Sequence, residues 1–107
     1  MIVVTGTGIV SAIGTNTSEV ANALLEDVSG IAPVSFLQTQ HRQMPVGEVK
    51  LSNEQLAQRL GIVSTDNTSR TMLLGTLALR EALAMAGIKD DELEGVALVS
   101  GTTVADM

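Results

Sequence analysis

Ile2-Val3-Val4-Thr5-Gly6-Thr7-Gly8-Ile9-Val10-Ser11-Ala12-Ile13-Gly14 is the stretch around which the chain is organised. Residues 2–4 form a β-branched run, and Ile9 and Val10 resume it after Gly6-Thr7-Gly8. A continuous apolar run suits a strand covered on both faces, as in an α/β sheet. We therefore expect a strand over residues 2–11. A strand followed by Gly-x-Gly also looks like the turn that binds a dinucleotide. That fingerprint needs a third glycine at position 11, where Ser11 stands. It also needs a helix opening at the glycines, with its N-terminus aimed at a pyrophosphate. Here the apolar run continues to Val10, and the next helix signal is Asn16-Thr17. The reading that remains is that Gly6 and Gly8 let the strand pass close to a neighbouring element.

Composition narrows the function classes. The chain has 107 residues, the size of one domain, and 45% are hydrophobic. Phe36 is its one aromatic residue, so the core is expected to consist of Val, Ile, Leu, Ala and Met. There is no cysteine, hence no disulfide, zinc-thiolate site or thiol nucleophile. Net charge is -6, from 12 acidic and 6 basic residues. Without a basic face or stacking aromatics, nucleic-acid binding is not expected. No apolar run approaches the roughly 18 residues of a membrane span, and the first residues lack the basic region of a signal peptide. A cytoplasmic location is the resulting expectation. Lys89-Asp90-Asp91-Glu92-Leu93-Glu94 gathers four acids and reads as a solvated loop.

Local signals place the helices. Asn16 or Thr17 can cap a helix over residues 17–26, with Glu19 three residues after Asn16 and Val28-Ser29-Gly30 closing it. Residues 31–50 are interrupted by Pro33 and Pro45 and should be irregular, with short edge strands at 34–36 and 46–49. Ser52 and Gln55 form a capping box for a helix over 53–60, and Gly61 can end it in the left-handed conformation. Residues 62–67 read as a linker. A long helix is expected over 69–86, ending at Gly87 and about 25 Å long at 1.5 Å per residue. It is apolar nearly all round, with Thr76, Arg80 and Glu81 the polar positions, so burial on several sides is expected. Met72 and Met85 read as core filling, and Gly75 as a close-packing point. Residues 95–100 read as a second buried strand. A right-handed crossover through the long helix would join it to the first strand in a parallel sheet.

No constellation for catalysis is present. His41, the sole histidine, sits in the polar run Gln38-Thr39-Gln40-His41-Arg42-Gln43 with no second ligand at metal spacing, and reads as a surface residue. Ser100-Gly101-Thr102-Thr103 would make an anion cradle only before a helix, and otherwise reads as a strand-ending turn. The residues thus nominate no catalytic, cofactor-binding or metal-binding position and no cofactor.

The opening stretch resembles the start of the β-ketoacyl synthases, the condensing enzymes of fatty-acid and polyketide synthesis. Val3, Val4, Thr5, Gly6, Gly8, Val10, Ser11 and Gly14 match in register. Three further segments are similar in order: Leu24-Leu25 with Ser29-Gly30-Ile31, residues 78–87, and residues 99–103. The resemblance implies α/β structure, the N-terminal portion of a thiolase-like αβαβα fold. It also implies decarboxylative condensation of acyl and malonyl thioesters on acyl carrier protein, in a homodimer or a synthase-type heterodimer. That chemistry uses a cysteine and two histidines that the family places beyond the matched segment. No position of this chain can take the nucleophile's role, so the segment itself is expected to be non-catalytic and not self-sufficient as a domain. Two departures stand out. Ser64-Thr65-Asp66-Asn67-Thr68 replaces the basic residues that family members serving acidic carrier proteins often carry. Ala105-Asp106 replaces paired glycines. The first is compatible with an alternative, a segment of a non-catalytic chain-length-factor-type partner. A nucleotide-binding Rossmann domain is the remaining alternative, opposed by Ser11.

Overall fold

The computed structural model describes residues 1–63 and 67–104. Among them are three α-helices, a two-stranded sheet and one 3₁₀ turn, a mixed arrangement consistent with part of an α/β fold. Helix α1 spans Thr17–Leu25, α2 spans Asn53–Leu60 and α3 spans Arg70–Ala86. The expected spans were 17–26, 53–60 and 69–86.

Each helix begins where a side chain takes up an orphan N–H of its first turn. Asn16 Oδ1 accepts from Glu19 N at 2.9 Å, and Ser69 Oγ accepts from Met72 N at 3.2 Å. At α2 the capping box is complete: Gln55 N donates to Ser52 Oγ at 3.1 Å, and Ser52 N to Gln55 Oε1 at 2.8 Å. At α1 it is not, because the Glu19 carboxylate accepts from Thr15 N, one residue upstream, at 2.7 Å. All three helices end by a left-handed residue with paired bonds back into the last turn. Gly61 and Gly87 supply it for α2 and α3. For α1 the residue is Asp27, at φ 54°, so this helix closes before Val28-Ser29-Gly30. Val28 N donates to Ala23 O at 2.9 Å there.

The core lies between α2 and α3. Leu56, Ala57, Leu60 and Leu73 are buried, flanked by Leu51, Ile62, Leu74 and Leu77. Arg80 of α3 donates to Leu60 O at 2.8 Å and so satisfies a C-terminal carbonyl of α2.

Strand β1, Ala32–Pro33, pairs antiparallel with β2, Pro45–Val46, in the register Ala32 with Val46 and Pro33 with Pro45. β1 lies just before the edge strand expected at 34–36, and β2 overlaps the one expected at 46–49 only at Val46. Proline has no N–H to extend a ladder, which keeps the pair short.

Residues 2–11 and 95–100 are not strands, which corrects the sequence reading. A strand exists only where a second one takes its N–H and C=O groups, and among the described residues β1 and β2 are the only paired strands. The backbone of the N-terminal segment bonds instead to α3 side chains. Thr7 N donates to Met85 Sδ at 3.4 Å and Ile9 N to Glu81 Oε2 at 3.1 Å. Ser11 and Gly14 form one isolated bridge. The parallel pairing with residues 95–100 is not made, and Val96, Leu98 and Val99 are exposed.

Helix α3 is also less enclosed than its composition suggests. Leu73 is its one buried residue, whereas Met72 is 52% and Met85 54% exposed. Neither methionine fills the core. A Cβ on Gly75 would meet nothing within 4 Å, so Gly75 is not a close-packing point.

Candidate functional site

The N-terminal segment lies along α3, and its glycines set the separation. A Cβ on Gly6 would run into the backbone oxygen of Ala82, and one on Gly8 into that of Ala78. Ala78, Ala82 and Ala86 are four residues apart and share one helical face, so small residues meet glycines there. Gly6 and Gly8 therefore serve close approach between backbones.

Glu81 stands beside that face and is the one acid in α3. Its Oε1 accepts from Thr17 N at 2.6 Å and its Oε2 from Ile9 N at 3.1 Å. One carboxylate thus ties the N-terminal segment and the first turn of α1 to α3. Chiefly the Thr17 N–H, with the Ile9 N–H a smaller cause, holds the Glu81 carboxyl below the ordinary carboxylate range against the opposing effect of burial.

This geometry excludes the dinucleotide turn. Helix α1 opens at Thr17, well past Gly8, and its N–H groups at Thr17 and Glu19 are taken by Glu81 and Asn16. Ser11 donates its N–H to Gly14 O at 2.8 Å and accepts from Ile13 N at 3.3 Å through Oγ. It closes a tight turn.

A second cluster fixes residues 34–37. Glu48 accepts from Ser35 N at 2.8 Å, Phe36 N at 3.1 Å and Leu37 N at 2.8 Å. Arg42 donates to Leu37 O at 2.8 Å and Ser35 O at 3.2 Å. The loop is held by an anion through its donors and by a cation through its acceptors. Burial pushes the Glu48 carboxyl up, but the three N–H groups and the nearby Arg70 charge outweigh it, and the pKa is lowered. Arg70 donates to Asn53 Oδ1 at 2.9 Å and to Val49 O at 3.0 Å, with its guanidinium 5.6 Å from the Phe36 ring centre. Phe36, Glu48, Asn53 and Arg70 wall a groove of about 760 Å³, with Val34, Val46 and Leu74 supplying apolar surface. Glu48 and Arg70 are already bonded within the chain. The cluster can hold a loop; it presents no nucleophile with an adjacent base.

The remaining sequence candidates do not converge. His41 is exposed, and its carbonyl accepts from Met44 N in a turn. Among the described residues no three His, Cys, Asp or Glu side chains come together as a metal site. Residues 100–103 are exposed, and Val104 N donates to Thr102 Oγ1 at 3.2 Å. Residues 64–66 and 105–107, where both family departures fall at least in part, lie outside the described residues. No described helix is long and apolar enough to cross a membrane.

Sequence reasoning missed Glu81, Glu48, Arg42 and Arg70. A lone acid in an apolar helix was the available signal for Glu81. For the loop cluster, charged residues between two prolines were a weaker one.

Comparison with known proteins identifies the class. The family model of the beta-ketoacyl synthase N-terminal domain matches residues 1–107, the whole chain given. The chain belongs to this family of condensing enzymes. No curated protein and no solved structure matches it.

Proposed function

We propose that the chain is the N-terminal part of a β-ketoacyl synthase with a thiolase-like fold, acting on acyl and malonyl thioesters of acyl carrier protein in the cytoplasm. In that reaction an acyl group moves to an enzyme thiolate. A malonyl thioester then loses CO₂, and its carbanion attacks the acyl carbonyl, expelling the thiolate as the carbon-carbon bond forms. This chain has no cysteine, and its one histidine lies in an exposed turn. Its contribution is scaffold. It lays the Gly6–Gly8 segment on α3 and clamps the 34–37 loop with Glu48 and Arg42.

The match over residues 1–107 carries this reading. The test is to incubate the gene product that contains the chain with acyl and malonyl carrier protein and follow β-ketoacyl carrier protein by mass spectrometry. Condensation with release of CO₂ is expected. Its absence, with carrier proteins verified on a known synthase, would overturn the proposal.

A further inference from the structure

The polar connections of the N-terminal segment to α3 pass chiefly through one side chain, Glu81, while a separate one runs to α2, from Arg59 to Thr15. Thr17 is the first residue of α1, so its N–H has no partner within the helix. Ile9 lies outside any strand, so its N–H has no ladder partner. Both donate to Glu81, one to each carboxylate oxygen. The two donors lie 64 and 72 residues from Glu81 in sequence. The other tie of this segment to α3 is weak, a thioether accepting from Thr7 N at 3.4 Å.

We infer that Glu81 is a latch that holds residues 1–16 and the start of α1 on α3 as one unit, and that protonation of its carboxylate releases both together. An ionised carboxylate is an acceptor on both oxygens, whereas the protonated form turns one oxygen into a donor facing an N–H. One of the two bonds is then lost and the other loses its charge assistance. The close approach of Gly6 and Gly8 to Ala82 and Ala78 remains, but only one uncharged bond is then left to tie Ile9 and α1 to Glu81.

The surrounding charged groups leave the latch to Glu81. On α1, Glu19 turns away to Thr15, accepting at 2.7 Å from its N–H. On α2, Arg59 donates to Thr15 Oγ1 at 3.0 Å. On α3, Arg80 is committed to Leu60 O. The sign follows from the geometry. The N–H bonds favour the ionised form, so the folded pKa lies below the unfolded value. The stabilisation is complete above the unfolded value and is lost as pH falls through the folded one. Glu19 is also held low, by its Thr15 bonds. Variants at both positions separate the two.

The test is hydrogen exchange read by mass spectrometry on peptides spanning residues 7–13, 15–20 and 70–77 of the protein. At neutral pH, Glu81→Gln should raise exchange several-fold in the first two peptides together and leave the third unchanged. Glu19→Gln should alter only the 15–20 peptide. Unchanged exchange in the 7–13 and 15–20 peptides, or a gain in only one of them, would overturn the latch. If Glu81→Gln opens all three peptides, the wild-type protein decides. On acidification, after correction for intrinsic rates, the first two peptides should lose protection together and before the third. Simultaneous loss in all three would contradict the proposal.

Discussion

Gly8 sits so close to Ala78 that a single added carbon on the glycine would overlap the alanine's backbone oxygen. This contact and its neighbour, Gly6 on Ala82, give the Gly-x-Gly step its purpose. Gly8→Ala should therefore force the segment off α3 at a cost of about 1–3 kcal/mol, the usual range for overpacking. Gly75→Ala has open space around its Cβ and should stabilise α3 by about 0.5–1 kcal/mol. Melts of the helical circular dichroism signal at low protein concentration test the pair. Equal shifts for the two alanines would contradict the assignment.

The 34–37 loop makes a proteolytic prediction. Phe36 is the only aromatic residue, and the three N–H groups from Ser35 to Leu37 bind Glu48. Glu48→Ala leaves those donors to water and frees the backbone to fit a protease. Chymotrypsin should cut after Phe36 several-fold faster in this variant, and also in Arg42→Ala, than in the wild type. Unchanged cleavage in both would show that the loop is fixed by something other than this clamp.

What was legible in the sequence was local. Ser52 with Gln55 and Gly61 bounded α2 because capping bonds span three or four residues. Asn16, Ser69 and Gly87 worked in the same way. That residues 2–11 and 95–100 form no strand was not legible, because a ladder depends on partners distant in sequence. Gly75 was misjudged and Gly8 only partly understood for the same reason: close approach is a property of where another element lies. Glu81 registered merely as a polar position on α3, since its partners at Ile9 and Thr17 lie outside any helical spacing.

Nucleotide binding is a discriminating negative. The first-turn N–H groups of α1 at Thr17 and Glu19 already face Glu81 and Asn16, and a second anion beside Glu81 would be repelled. Calorimetry with NAD or ATP should give only heats of dilution. Saturable binding at micromolar concentration would show that the glycines face a ligand instead of α3.

Exposed apolar surface predicts association. Ile2 is 101% and Val99 94% exposed, and Val4, Leu25 and Leu98 also face solvent. Exposed β-branched segments outside any sheet template pairing between chains. The 107-residue chain should bind a hydrophobic dye and grow in apparent mass with concentration in light scattering. A dye-silent monomer at all concentrations would contradict the exposed placement of these residues.

The claim that this chain supplies scaffold while the condensing chemistry lies in other residues is tested most directly by one assay. Purified chain, incubated alone with acyl and malonyl carrier protein, should release no CO₂ above the spontaneous rate and form no β-ketoacyl product. Turnover that scales with chain concentration would contradict the account, because a sequence without cysteine would then be forming the carbon-carbon bond.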